Sequence, residues 1–337
     1  MKQLRATLLG GLIILASQVT WAAPVTGLYQ VREPLQEQTQ EARSEAFAQA
    51  FVTLMQRLTG SAQSAQHAAL ASHLATPENL ALGYTYHEEE LQVNFDPASV
   101  MQALREAGVP VWGNDRPVLL LWWVQDGLQG RNLLGDGQNR SMNLQQTALH
   151  RGLPIRFPLA DLAEQVQADQ GWSGARAEQI SELLQRYGGD ALLVVDAEEA
   201  AEQIAGRWQL IGGSQDYKGN LASSNLLEAA DGMFQTLAGQ LAEEYAVVPG
   251  KGDRLQVRLQ GLDMDGMLAA EKALQVFDCR LVAVQGSEAL WEVTAMPEQL
   301  RSQLALYDFR ERESFRDEGY EDAEEDSAQM TELVFTR

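Results

Sequence analysis

The chain has 337 residues, of which 45% are hydrophobic and 21% are charged, and this composition is typical of a globular protein with packed cores. At about 100–200 residues per domain, the length predicts two or three domains. The formal net charge is −22, and only four of the 25 basic residues are lysines. We therefore expect no nucleic-acid surface and no basic patch for lipid headgroups.

Residues 1–22 have the layout of a secretory signal peptide. Lys2 and Arg5 precede a short apolar run, residues 8–16, and Ala22 lies at the end of the small-residue segment where such peptides are cut. The apolar run is much shorter than the roughly 20 residues that a spanning helix needs. We expect cleavage near Ala22, a periplasmic location and no stable membrane insertion after cleavage. A retained anchor is the alternative.

Residues 23–113 predict an N-terminal α/β module. Thr39 can cap an amphipathic helix that ends before Gly60, and Asp96 can cap a second helix. Between the helices, residues 80–95 predict two strands joined by an acidic turn.

Residues 114–248 predict a central α/β domain that opens with eight uncharged residues, 117–124. This run is too short to cross a membrane as a helix and does not alternate, so it predicts a strand that is covered on both faces. Because successive side chains of a strand point to opposite faces, we expect Trp122 and Trp123 to pack under different layers. Helical segments then alternate with strands, which predicts a mixed, partly parallel sheet.

Residues 254–309 predict a C-terminal α/β module with the order strand, helix, strand, strand, helix. The N-terminal module has the same order, which suggests a distant structural repeat. Residues 310–337 predict a disordered acidic tail, because residues 317–326 include seven acids and no base. The apolar residues 331–335 leave an edge strand open as an alternative. The chain is thus predicted to be an α/β protein of three small modules with an acidic tail.

No catalytic signature is present in the sequence. There is no G-x-S-x-G or S-x-x-K motif, and the four histidines do not have zinc-binding spacing. Cys279 is the only cysteine, and its β-branched neighbours predict a half-buried strand residue instead of a reactive thiol. We therefore assign no catalytic residue, no metal ligand and no cofactor. An uncharted hydrolase is the remaining enzymatic alternative.

The loop of residues 127–140, which begins at Gly127 and ends at Arg140, is the best candidate for a ligand site. It follows a buried strand and precedes a helix, the position at which α/β sheets bind ligands. The spacing of Gly130 and Gly135 is similar to that of a phosphate loop, but Asp136 replaces the expected lysine and would repel phosphate. Because the spacing lacks the cation, we prefer a flexible loop without a ligand, and a ligand-binding loop is the alternative. The candidate ligand residues are Gly130, Arg131, Asn132, Gly135 and Asp136.

Several segments resemble envelope proteins. Within residues 116–246, "RPVLLLWWV", "HRGLPIRFPLAD" and "LLQRYGGDALLVV" resemble the small α/β domain of the Tol-system propeller protein and of the curli-secretion lipoprotein, in which a Gly-Ala-Asp-like step matches Gly188, Gly189 and Asp190. The whole chain, including "VPVWGNDRPVLLLWW", resembles a proteobacterial exported family catalogued only as a domain of unknown function. That family has no established catalytic residues, and this chain lacks the lipid-bearing cysteine of several envelope lipoproteins.

The sequence leaves two functions open. The first is a non-catalytic interaction module that binds envelope proteins in the periplasm. The alternative is a small-ligand-binding protein that uses the loop of residues 127–140. An exposed sheet edge or an apolar groove between modules would favour the first, and a closed, polar-lined pocket at the loop would favour the second.

Overall fold

The fold combines helices with three separate sheets. The signal segment and the acidic block of residues 317–326 lie outside the residues that the structure describes. The described part contains nine α-helices and three sheets, two of which have both parallel and antiparallel strand pairs, and this confirms the predicted α/β class. The structure is a computed structural model that describes residues 27–128, 130–172, 175–200, 203–213, 215–248, 251–312 and 331–337.

The N-terminal module has a three-stranded antiparallel sheet with helices on one face. Thr39 accepts a hydrogen bond from the backbone N–H of Ala42, and Gly60 adopts a left-handed φ of 75°, so both predicted ends of the first long helix are confirmed. The strand order is β1-β3-β2. The elements are β1 (Gln30–Pro34), α1 (Gln40–Thr59), α2 (Ala71–Ala75), β2 (Ala81–His87), β3 (Glu90–Phe95) and α3 (Pro97–Ala107).

The central domain is built on a six-stranded mixed sheet. Its elements are β4 (Leu119–Gly127), β5 (Gly130–Leu133), α4 (Asn139–His150), β6 (Ile155–Arg156), α5 (Leu162–Gln170), α6 (Ala177–Tyr187), β7 (Ala191–Ala200), β8 (Gln203–Ile211), β9 (Tyr217–Ser223) and α7 (Leu226–Tyr245). The strand order is β5-β4-β7-β8-β9, and β6 also pairs with β4. Strand β4 runs parallel to β6 and β7, whereas the other pairs are antiparallel. The predicted partly parallel sheet is confirmed.

Strand β4 is buried on both faces, as its uncharged sequence predicts. Trp123 packs with Leu144 of α4 and Phe234 of α7 on one face, whereas Trp122 packs with Leu183 of α6 on the other. Both tryptophans are at most 1% exposed. The prediction that they pack under different helical layers is confirmed.

The C-terminal module repeats the topology of the N-terminal module. Its elements are β10 (Asp253–Gln260), α8 (Met264–Leu274), β11 (Asp278–Gln285), β12 (Glu288–Ala295), α9 (Pro297–Ala305), β13 (Arg310–Glu311) and β14 (Thr331–Thr336). Strand β12 pairs antiparallel with both β10 and β11, just as β3 pairs antiparallel with β1 and β2. The predicted repeat is confirmed at the level of strand order and direction.

The end of the chain completes this sheet, so the prediction of a disordered tail is wrong for residues 331–336. Strand β14 pairs parallel with β10, and β13 pairs antiparallel with β14. Leu333 and Phe335 alternate with polar residues, and both are buried against the core of the module. This burial offsets the conformational entropy that residues 331–336 lose on folding. The acidic block before them has almost no apolar side chains that could do the same.

Two buried arginines connect the N-terminal module to the central domain. The Arg116 side chain is fully buried and donates hydrogen bonds to the carbonyl oxygens of Arg57 at 2.6 Å, Gly152 at 2.9 Å and two residues near its own position. Arg57 donates to the carbonyl oxygens of Leu28 and His150, which belong to different modules. Burial lowers the pKa of both arginines, and their mutual repulsion lowers that of Arg116 further. Main-chain carbonyl dipoles compensate both charges, and the nearby Glu33 carboxylate also stabilises the charge of Arg57.

Candidate functional site

Part of the predicted ligand loop belongs to a β-hairpin. Residues 130–133 form β5, which pairs antiparallel with the end of β4 from Val124↔Leu133 to Gly127↔Gly130. Gly130 has a φ of +86°, a left-handed conformation that favours glycine. The preferred interpretation of a flexible loop does not hold for residues 130–133, because they pair with β4 as a strand.

The structure separates the five predicted ligand residues. Gly130 and Asn132 line a cavity at the end of the sheet. The Arg131 side chain is held elsewhere by an ion pair with Asp196, with 2.9 Å between Nη1 and Oδ1. Gly135 lies so close to the segment of residues 158–160 that an added Cβ atom would be 2.9 Å from a carbonyl oxygen there. The backbone N–H of Asp136 donates to the carbonyl oxygen of Pro158.

We call the cavity beside Gly130 and Asn132 the sheet-end cavity. Its volume is about 520 Å³. The Arg140 Nη1 atom is 3.0 Å from the Glu199 Oε2 atom, and the Gln125 amide donates to the same oxygen. Donor and acceptor groups thus lie side by side at this end of the sheet. The lining residues are Gln125, Gly127, Leu128, Gly130, Asn132, Leu134, Gln138, Arg140 and Glu199.

Three elements position the polar groups of the sheet-end cavity. Gln125 is two residues after Trp123 on β4, so its side chain faces the layer formed by α4 and α7. Glu199 is near the end of the parallel neighbour β7, and Arg140 is in the first turn of α4. Sequence analysis missed Gln125 and Glu199. Gln125 is the first polar side chain after the uncharged run, which is the only local signal, and Glu199 is one of 47 acids.

A second cavity, which we call the module cleft, lies between the modules and has a volume of about 710 Å³. Helix α3 of the N-terminal module forms one wall, and the turn between α8 and β11 forms another. Val111 at the end of the N-terminal module and Val247 at the end of the central domain form an isolated bridge, and both are buried at the base of the cleft together with Phe277. Asp278 and Arg105 are exposed at its border. Its lining residues are Tyr29, Pro97, Ala98, Met101, Arg105, Val111, Gly113, Asn114, Asp115, Val247, Gln275, Val276, Phe277 and Asp278.

Strand β11 forms an edge of the C-terminal sheet. On one side it pairs with β12, and among the described residues no strand pairs with its other side. Leu281, Val282 and Val284 are 39%, 46% and 54% exposed. An exposed apolar edge of this kind is a template for pairing with another chain.

The described residues give no indication of metal or thiol chemistry. Within the ranges that the structure describes, no group of three or more His, Cys, Asp or Glu side chains is placed to hold a metal ion. Cys279 lies half-buried on β11, as predicted. Burial, followed by the charge of Asp278, raises the pKa of its thiol, which disfavours the reactive thiolate. None of the helices in this part of the chain has the length and apolar character needed to span a membrane.

Comparison with known proteins supports one assignment. Residues 22–113 match the family model described as a domain of unknown function, DUF8605. A search of curated proteins and a search of solved structures each found no match. The chain is therefore an α/β protein whose N-terminal part is similar to this family.

Proposed function

We propose that the protein is a non-catalytic interaction module of the periplasm that binds an envelope protein through the module cleft. The cleft is the observation that carries this proposal, because an apolar groove between modules is typical of a surface that binds another protein. Val111, Val247 and Phe277 form its apolar base. The exposed edge strand β11 begins at Asp278, on the border of the cleft, so a bound segment can extend along it.

The expected partner segment carries apolar side chains flanked by basic residues. Asp115 and Asp278 line the cleft together with a single base, Arg105. The formal charge of the whole chain is −22, which attracts a cationic partner over distances longer than the contacts themselves. Complementary charge of this kind accelerates association and selects among partners.

The periplasmic location rests on sequence arguments. Residues 1–22 have the layout of a signal peptide. The resemblance to small α/β domains of envelope proteins that we infer from the sequence of residues 116–246 agrees with the same location. The absence of a catalytic motif in the sequence favours binding over catalysis, and the buried arginines between the first two modules favour a rigid binding surface.

In-cell crosslinking followed by affinity measurement tests the proposal. A photo-crosslinking residue is introduced at Ala98 or Gln275, which are exposed residues of the cleft, and at Glu182 on α6 as a control. The partner recovered from the cleft positions is then purified and titrated against Asp278→Lys. We expect affinity to fall about tenfold or more, because the substitution reverses a charge at the border of the cleft.

The matched control for this substitution is Glu182→Lys, which makes the same charge change on a different surface. It should leave the affinity within about twofold of the unmodified protein. Equal losses from both substitutions, or equal crosslinking from Glu182 and the cleft positions, would contradict binding at the cleft.

A further inference from the structure

The sheet-end cavity occupies a position at which α/β sheets bind ligands. The parallel pairing of β4 and β7 continues to Asp126↔Glu198, so the carboxyl ends of both strands meet at the cavity. Helix α4 begins beside them and has no acidic residue in its first turn. The positive end of the helix dipole therefore lies next to the Arg140 guanidinium.

The charged groups of the cavity are paired with each other but are open to solvent. Arg140 and Glu199 are 3.0 Å apart, and their side chains are 51% and 39% exposed. Behind them, Gln125 is 5% exposed and donates its amide N–H to Glu199. The Oε1 atom of Gln125 has no hydrogen-bond partner among the described residues. The site thus offers a cationic donor on one side and acceptors on the other.

This charge arrangement selects a class of ligand. A lone anion at Arg140 would be repelled by Glu199, and a lone cation at Glu199 would be repelled by Arg140. A molecule with both charges replaces the exposed ion pair of Arg140 and Glu199 with two pairs, one between each side chain and the opposite charge of the ligand, and the site stays neutral. Its carboxylate can accept two parallel hydrogen bonds from a guanidinium, and its ammonium group can donate to a carboxylate.

We propose that the sheet-end cavity binds a small zwitterion that carries an ammonium group and a carboxylate, as an α-amino acid does. The volume of about 520 Å³ lies within the range of small-molecule pockets. Gly130 lies on the lining of the cavity, and the space where its Cβ atom would lie is open. The Arg140 guanidinium binds the carboxylate, and the Glu199 carboxylate binds the ammonium group. This site is separate from the module cleft, so it does not depend on the proposed function.

Calorimetric titration of the mature full-length protein with each of the common L-amino acids tests the ligand class. We expect at least one amino acid to bind with a Kd of about 1 mM or lower. For each binder, the N-acetyl derivative lacks the ammonium charge and the carboxamide derivative lacks the carboxylate. Both derivatives should bind at least about tenfold more weakly. Glucose, a neutral polyol, is the control for binding that does not need charged groups.

Variants of the ion pair test the place of binding. Arg140→Gln and Glu199→Gln should each weaken binding about tenfold or more. Arg131→Gln is the matched control, since it removes an arginine of the neighbouring strand β5 whose ion pair with Asp196 lies outside the cavity lining. It should leave the Kd unchanged. A thermal melt of each variant confirms folding, and the two cavity variants provide independent tests.

Several results would overturn the proposal. These are no binding of any amino acid at about 10 mM, equal binding of the blocked derivatives, and binding of glucose alone. Loss of binding in Arg131→Gln as large as that in Arg140→Gln would place the ligand elsewhere. Cleft variants such as Asp278→Lys should retain amino-acid binding, which distinguishes failure of this proposal from failure of the proposed function.

Discussion

Protonation of His150 is predicted to destabilise the protein as the pH falls below neutral. His150 is the last residue of α4, at the contact between the central domain and the N-terminal module. Burial, followed by the positive charges of Arg57 and Arg151, lowers the pKa of His150 from 6.5 to about 4, and Asp231 opposes this effect only in part. A proton on the imidazole would add a third positive charge to a half-buried cluster.

The sign and the size of the effect follow from proton linkage. Between pH 6.5 and about 4 the unfolded chain binds a proton at His150 that the folded protein does not, so the free energy of unfolding decreases as the pH falls. At about 1.4 kcal/mol per pKa unit, the full effect is about 3 kcal/mol. About 2 kcal/mol of this is expected between pH ~7 and pH ~5.

Urea unfolding at these two pH values measures the effect. His150→Gln keeps a polar neutral side chain and should lose about 2 kcal/mol less stability than the unmodified protein on acidification. Carboxylates that titrate in the same range are common to both proteins, so the difference isolates His150. His87→Gln, which changes an exposed histidine at the end of β2, should behave like the unmodified protein. The same pH dependence in His150→Gln and the unmodified protein would refute the argument.

Four further outcomes are expected. Trp122→Ala or Trp123→Ala should each cost about 3–5 kcal/mol in denaturant unfolding, because each leaves a large cavity in a closed layer, and a loss below about 1 kcal/mol would contradict their burial. Truncation after Arg316 should lower the melting temperature by several degrees, because it removes β14 from the middle of the C-terminal sheet, and an unchanged melt would show that β14 does not contribute. Arg116→Met should cost about 3–5 kcal/mol by unfolding, because it leaves several buried carbonyl oxygens without their donor; Arg105→Met, on the exposed side of α3, is the control. Amino-terminal sequencing of periplasmic protein should begin directly after Ala22, and an intact first methionine in the cytosol would contradict export.

Local signals predicted the helices and strands well because their causes lie within a few residues. The N-terminal ends of α1 and α3 depend on Thr39 and Asp96, whose side chains accept hydrogen bonds from backbone N–H groups three residues later. Gly60 and Gly108 end the same helices in the left-handed conformation. The burial of β4 follows from its uncharged run alone, since few exposed strands lack polar residues on both faces.

These local signals could not predict which distant segments pair with each other. The alternation of Leu333 and Phe335 suggests a strand, but it does not say which strand it pairs with. In the structure Leu333 pairs with Val257. The acidic block that precedes residues 331–336 makes the composition of the whole segment typical of a disordered tail and so hides their tendency to form a strand. The prediction of a tail failed here because the free energy of the segment depends on a surface more than 70 residues away.

The two candidate sites also combine features that the sequence indicates with features that only the packing of distant segments creates. The sequence pointed to the loop that ends at Arg140, because a strand followed by a loop and a helix is a recognisable ligand position in α/β proteins, but Arg140 was not among the candidate ligand residues. It did not reach Glu199, since one acid among 47 is uninformative until the parallel pairing of β4 and β7 places it beside Arg140. The module cleft has no sequence signal, because Val111 and Phe277 meet only after the three modules pack.

By itself the sequence determined the net charge, the signal-peptide layout of residues 1–22, the α/β class and the position of most helices and strands. Composition can be counted directly, and short-range periodicity depends only on residues that are close in the chain. Only the tertiary structure decided which edges stay open, which arginines lose contact with water and which polar groups share a cavity. These features depend on which buried surfaces fit together. A side chain such as Gln125 or Glu199 acquires its role from neighbours that are remote in the chain, and no local pattern carries that information.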